Sequence, residues 1–454
     1  MSSNLLSKIE NHEAKICVIG LGQVGLPTAL TFCQSGFDVT GHDINKDLLS
    51  SLNQSKAPFE EEGLEELLKS CIASKRFHTN PNVEESIRNA DVIIVCVATP
   101  LTSGIMPDLS YLEKACQSIS ELSLDNKLVI IESSIPPGTF KGLVITILEK
   151  KSKLGKDFWA AFVPERLAPG IALSEIKTTP RVIGYADEES SKIAITLYKK
   201  MVTSQVVSTP VEVAEISKLV ENASRDVNVA FANEVGLICE NYGIDVVELI
   251  KVCNSHPRVK LLQPGPGVGG PCLPKDPYLL LNPPGKKKIE SKIIVDSRMI
   301  NDNMPYHVVD LVIDSIKEHG KKISESTVLV LGVSYKANVS DTRFSPSKDI
   351  VAQLGKNGCN VIVYDPKSTE TFGGKRTEDV WNSMSQSDVL VIVTDHDEFK
   401  SLDLSKIRQT MRTPIIIDTR RIFSRTLAED LGIKYVSVGY TKALKDAEIG
   451  SQVI

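Results

Sequence analysis

One cysteine lies in a segment that suits neither helix nor strand. Residues 265–276 read G-P-G-V-G-G-P-C-L-P-K-D, with four glycines and three prolines around Cys272. Such a composition makes a rigid loop whose backbone can approach a ligand closely. Lys275 and Asp276 follow the cysteine by three and four residues. A nearby ammonium lowers a thiol's pKa, and a carboxylate can steer a water or a proton. Nucleophilic catalysis is one reading of this spacing; a surface turn with an incidental cysteine is the other.

A second segment points to a nucleotide. Residues 20–25 read G-L-G-Q-V-G, directly after the run K-I-C-V-I and at the opening of a helical pattern. Gly20 permits a tight turn, Gly22 lets the backbone approach a pyrophosphate, and Gly25 allows close helix–strand packing. The helix N-terminus then offers N–H groups to the phosphates. Asp43 ends the next strand pattern, 18 residues beyond Gly25. Its carboxylate can accept hydrogen bonds from a ribose diol and repels a 2′-phosphate, so the expected cofactor is NAD rather than NADP.

A third group sits on a helix expected from about Val211 to Gly243. Ile216, Val220, Ala223, Val227, Phe231, Val235 and Ile238 form its apolar stripe. Lys218, Asn222 and Arg225 fall roughly 180–240° round from Ile216, on the face opposite that stripe. They could point into a cleft, although spacing alone favours a solvated face. Two further segments, E-S-S-I-P-P-G-T from Glu132 and V-P-E-R-L-A-P-G from Val163, follow apolar runs and place Ser134 and Glu165 at strand ends. Ligands bind at the carboxyl ends of strands in open α/β sheets, but either segment also suits a cap or turn.

The elements behind these groups alternate. Runs such as KICVIG, FDVTGHD, DVIIVCV, KLVIIESS, FWAAFVP and RVIGYA are separated by helical patterns, as in a parallel sheet covered on both faces. The last third echoes the first: TVLVLG, NVIVYDP, DVLVIVTD and PIIIDTR repeat the strands but keep only Gly332 of the glycine fingerprint. The expected fold is α/β, two doubly wound domains joined by a long central helical segment. Boundaries are placed at 1–208, 209–305 and 306–454, the middle piece serving as a bridge or dimer seam.

Composition agrees with a globular chain: 454 residues, 42% hydrophobic and 24% charged. No apolar run approaches membrane-spanning length and the N-terminus lacks a signal-peptide core, so a cytoplasmic location is expected. The net charge of −5 without a basic block argues against nucleic-acid binding. Nine cysteines without any C-x-x-C pair indicate free thiols and no disulfide framework, and no bound metal is expected.

In order along the chain, GLGQVGLP, the ATP at Ala98, ESSIPPGT, VPERLAPG, EISKLVENASRDVNVAFANE, GPGVGGPCLPKD, LGVSYKANVSDTRFSP and IIIDTRR resemble the UDP-glucose/GDP-mannose dehydrogenase family over nearly the whole length. The resemblance implies two coupled NAD-dependent oxidations that take the C6 alcohol of a nucleotide sugar to a carboxylate. Cys272 then matches the nucleophile that traps the aldehyde. Glu165 matches the base for hydrolysis, and Lys218 and Asp276 the pair that stabilises an oxyanion and holds water. Asn222 and Ser134 match residues of the same catalytic group. Gly20, Gly22, Gly25, Asp43, Thr99, Ser134, Lys275 and Arg343 match cofactor positions. Lys336 and Arg420 match contacts to the nucleotide sugar, with Glu165, Lys218, Asn222 and Arg225 lining the same region. Arg258 matches an arginine that reaches a neighbouring subunit's sugar site, which implies a homodimer.

The stretch N-S-H-P-R-V from Asn254, with VPERLAPG, is similar to the branch acting on UDP-N-acetylhexosamines, although Pro271 replaces a histidine common there. UDP-N-acetyl-D-mannosamine leads as substrate, ahead of UDP-N-acetylglucosamine and UDP-glucose. Two other readings stay open: a two-electron hydroxyacid dehydrogenase that needs no nucleophilic cysteine, and a catalytically silent regulator binding NAD or a nucleotide sugar.

Overall fold

The computed structural model describes residues 2–440. The chain divides into two compact units. One holds the residues up to Asn222 together with Lys275–Glu290; the other holds Ala223–Pro274 and the residues from Ser291 on.

The first unit is built on β1 (Lys15–Ile19), β2 (Asp38–His42), β3 (Phe77–Thr79), β4 (Val92–Val95), β5 (Lys127–Ile131), β6 (Phe158–Phe162), β7 (Arg181–Tyr185) and β8 (Val206–Pro210). Their order across the sheet is β3-β2-β1-β4-β5-β6-β7-β8. Helices on both faces explain why the central strands read as unbroken apolar runs. Along β4, Val92 and Ile94 enter one core, whereas Ile93 and Val95 enter the other. One pairing departs from the expected parallel sheet: β7 runs antiparallel to β6.

The second unit repeats the plan with β9 (Thr327–Leu331), β10 (Asn360–Tyr364), β11 (Lys375–Arg376), β12 (Val389–Ile392), β13 (Ile415–Asp418) and β14 (Lys434–Val436). All its pairings are parallel, in the order β11-β10-β9-β12-β13-β14. The echo between the two halves extends to geometry. Gly20 and Gly332 share a left-handed φ of 92° after their first strands. In the first unit the Leu21 amide donates to Asp43 Oδ2 at 2.8 Å; in the second the Val333 amide donates to Asp365 Oδ2 at 2.7 Å.

The long helix covers Val211–Tyr242, as expected, but part of its polar face is buried and much of its apolar stripe is uncovered. Lys218 and Asn222 are only 6% and 5% exposed, whereas Ile216, Val220, Phe231 and Ile238 are 42–51% exposed. Arg225 does remain on the surface. Periodicity reveals that a helix has two faces; which one the same chain covers depends on loops that the period does not encode. Here two loops dock on the polar face. Glu215 accepts the amides of Gly138 and Phe140, each at 2.8 Å, and Glu221 takes Arg166 in a two-pronged pair at 2.7 and 3.0 Å.

Candidate active site and cofactor site

The glycine turn of the first unit is shaped for a ligand on one side and for packing on the other. A Cβ on Gly25 would fall 1.8 Å from the Gly20 carbonyl oxygen, and one on Gly20 would fall 2.6 Å from that of Cys96. Gly22 faces open space, with nothing within 4 Å of its Cβ position. Asp43 accepts backbone N–H groups from Leu21 and Asn45, which orients its carboxylate at the end of β2 while leaving acceptor capacity for a diol. Across the sheet, Thr99 donates its hydroxyl to the Ser134 carbonyl at 2.6 Å, joining two of the expected cofactor residues. These features fit a dinucleotide: a glycine-lined approach, a helix N-terminus and an acidic acceptor.

Beside it lies a cluster of buried charge. Glu165 follows β6 and accepts the amide of Leu167, while its neighbour Arg166 ties the loop to the long helix. Burial pushes its carboxyl up to about 7; Lys218 and Arg181 pull it down, and Glu132 and Asp276 push it further up. A carboxyl poised there can exchange a proton near neutral pH. Asp276 opens the short helix Asp276–Leu281 and is wholly buried. Its Oδ2 accepts from Asn222 Nδ2 at 2.6 Å, and its Oδ1 lies 3.0 Å from Lys275 Nζ without hydrogen-bond geometry. That oxygen retains the capacity to hold a water.

The second unit carries Cys272, a partly exposed thiol. Its loop is packed tightly against residues 335–346. A Cβ on Gly269 would lie 2.7 Å from both the Phe344 carbonyl oxygen and Tyr335 Cβ, and the Gly270 amide donates to the Arg343 carbonyl at 2.9 Å. The Cys272 sulfur lies within electrostatic reach of Tyr335 and Arg343. Burial, followed by Asp341 and Cys272, pushes the Tyr335 hydroxyl up to about 12, against the pull of Arg343 and Arg225. Arg343 is paired with Asp341 at 2.6 Å. Arg420 donates Nε–H to the Val393 carbonyl at 2.7 Å, and its guanidinium comes within 3.3 Å of a Cβ placed on Gly265. Lys336 follows Tyr335 on the same loop. Arg258 stands apart, exposed on a loop closed by Asn254 and Leu261.

Three matches cover the chain in order. The UDP-glucose/GDP-mannose dehydrogenase family matches through its NAD binding domain at residues 14–202, its central domain at 212–303 and its UDP binding domain at 329–425. A UDP-N-acetyl-D-mannosamine dehydrogenase of Pyrococcus horikoshii is 40% identical over 410 residues, spanning 90% of this chain and 96% of that one. The chain belongs to the UDP-glucose/GDP-mannose dehydrogenase family. A UDP-N-acetyl-D-mannosamine dehydrogenase of Methanococcus maripaludis is 38% identical over 432 residues, 94% of this chain and 97% of the relative. The solved UDP-D-ManNAc dehydrogenase structure from Pyrococcus horikoshii superposes with a TM-score of 0.87 at 37% identity, covering 94% of this chain and 99% of that one. As a member of the UDP-glucose/GDP-mannose dehydrogenase family the chain is an NAD-dependent nucleotide-sugar dehydrogenase, an oxidoreductase with a UDP-binding domain. Among the described residues, no helix is long and apolar enough to cross a membrane, and no group of three His, Cys, Asp or Glu could hold a metal.

Two charged residues at the heart of the dehydrogenase's buried cluster escape a reading of sequence. Glu132 accepts hydrogen bonds from Tyr198 at 2.7 Å and Thr28 at 3.0 Å, and Arg181 is a fully buried guanidinium that opens β7. The only signal for Arg181 is a cation at the start of an otherwise apolar strand.

Proposed function

We propose that this dehydrogenase oxidises the C6 alcohol of UDP-N-acetyl-D-mannosamine to the carboxylate, forming UDP-N-acetyl-D-mannosaminuronate in the cytoplasm. Identity of 40% across nine tenths of the chain with a relative of that name supports this substrate. NAD, when bound, accepts one hydride in each of two oxidations. After the first, the Cys272 thiolate adds to the C6 aldehyde and forms a thiohemiacetal. Loss of the second hydride from that carbon leaves a thioester. Water then attacks, Glu165 takes its proton, the C–S bond breaks and the thiolate returns. Asp276 holds the water, while Lys218 and Asn222 offset the charge that develops on the C6 oxygen. Two NAD and one water are consumed per sugar; two NADH and three protons are released.

Gly20, Gly22, Gly25, Asp43, Thr99 and Ser134 hold the cofactor in this reading, and Lys275 and Arg343 reach its phosphate or nicotinamide side. Lys336, Arg420 and Arg225 bind the UDP-sugar. The buried carboxyl of Glu165, pushed up to about 7, is the observation that best supports acid–base work at this position. The test is a panel of UDP-sugars with NADH counted per sugar consumed. UDP-N-acetyl-D-mannosamine is expected to react fastest and give two NADH per sugar. Turnover of UDP-glucose with every N-acetylated sugar inert would overturn the substrate, and one NADH with free aldehyde released would overturn the chemistry.

We also infer a homodimer in which residues 209–305 form the seam and Arg258 serves the neighbouring sugar site. The exposed stripe of Ile216, Val220, Phe231 and Ile238 supports it, since an apolar row of this length on a helix needs a cover. Phe231→Asp is expected to raise the dimer dissociation constant by about 100-fold or more, as for a central interface aromatic. Light scattering across a dilution series reads this, and an unchanged dimer would remove the stripe from the interface.

A further inference from the structure

The cysteine loop is poor in the means to brace itself. Pro264, Pro266, Pro271 and Pro274 have no N–H to donate, and glycines supply most of the rest. Its amino end is instead held from outside by a chain of side chains. The Gly265 amide donates to Asn233 Oδ1 at 2.8 Å, and Asn233 Nδ2 donates to Asn301 Oδ1 at 2.9 Å. Asn301 Nδ2 donates in turn to the Asp226 carboxylate at 2.9 Å and to the Asp226 carbonyl at 3.0 Å. Arg298 closes the chain with an ion pair to Asp226 at 2.5 Å. All four side chains are buried. The direction of both amides is forced, because a backbone N–H at one end can only donate and a carboxylate at the other can only accept.

A second contact fixes the same stretch. Pro305 lies inside the helix Lys292–Glu318 and cannot supply the N–H that would bond the Asn301 carbonyl. Gly267, at φ 117°, fits against that carbonyl and the proline ring; a Cβ there would lie 3.0 Å from Asn301 O and 3.2 Å from Pro305 Cδ. The loop is thus tied at Gly265, seated at Gly267 and tied again at Gly270, two residues before Cys272.

We propose that Asn233 is a positioning residue for Cys272, fixing the amino end of its loop through the Gly265 amide and itself fixed by Asn301, Asp226 and Arg298. The inference rests on the nucleophilic role given to Cys272. In Asn233→Ala the full-length enzyme is expected to lose about tenfold or more in kcat for acid formation, the scale at which sub-ångström to ångström misplacement acts. KM for NAD is expected to stay unchanged, and the NADH-to-sugar ratio to fall from two towards one as aldehyde escapes capture. Wild-type kcat and a ratio of two would overturn the proposal, as would a loss in which the ratio stays at two while KM for NAD rises. Should Asn233→Ala not be recovered folded, Asn301→Ala removes the backing while keeping the Gly265 tie, and the same readouts decide. Cys272→Ala run in parallel separates the two ideas: if it still forms acid, the nucleophile reading fails, whereas if it does not and Asn233→Ala is unaffected, only the positioning role falls.

Discussion

Cys272→Ala is expected to abolish acid formation, with a fall in kcat of about 10⁴-fold or more, the scale seen when a covalent nucleophile is removed. NAD affinity should stay within roughly twofold, because the glycine turn and Asp43 lie in the other unit. Titration of NAD by fluorescence and counting of uronate by mass spectrometry give the two readouts. The contrast is the point. A hydroxyacid-type dehydrogenase keeps its activity without the cysteine, and a silent regulator has none to lose. Acid formation at the original rate in Cys272→Ala would sink the thioester route.

The second large effect belongs to Glu165. Glu165→Gln keeps the shape and the neutral form but removes the base, so thioester hydrolysis should slow by about 10²–10⁴-fold. A protein adduct bearing the sugar should then accumulate, visible in the intact mass. In the unaltered enzyme, hydrolysis should rise with pH through about 7 as burial releases the proton late, and this rise should vanish in Glu165→Gln. Stability carries the opposite sign. The folded pKa lies above the unfolded one, so the stability linked to this proton is complete below the unfolded value of about 4.3 and is lost as pH rises through about 7. Glu165→Gln should therefore unfold at a higher temperature than its parent at pH 8. Equal midpoints there, with hydrolysis indifferent to pH, would deny the carboxyl its buried, proton-holding character.

Much of the fold could be read from the residues, and what was missed follows a rule. The central strands β1, β4, β5, β9, β12 and β13 are covered on both faces, so their sequences are runs of Val, Ile and Leu that stand out. The strands that did not stand out are β3, β8, β11 and β14, and these are the four sheet edges. Three of them are only two or three residues long, and the edges carry residues such as His78, Ser208 or Lys375, so their composition resembles a loop. The NAD fingerprint was legible because each glycine answers a local backbone demand. The covered side of the long helix was not, because Glu215 and Glu221 bury its polar face by catching loops over seventy and over fifty residues away in sequence. Arg181 escaped for the same reason: it is buried within electrostatic reach of Glu165, which follows another strand.

The two matching carboxylates, Asp43 and Asp365, hold one more lesson. Asp43 serves two backbone amides, whereas Asp365 receives the amides of Val333, Ser334, Lys367 and Ser368, the Ser334 hydroxyl and the His396 ring. Burial alone would raise the Asp365 carboxyl, but the His396 hydrogen bond and charge with the surrounding amides hold it at about 2. A carboxylate has about four lone-pair directions to offer, and at Asp365 they are all spoken for. The second half thus keeps the acidic residue of a ribose site and closes it by saturation. Restoring its glycines would not reopen it; two like scaffolds are told apart by which acceptor has vacancies left.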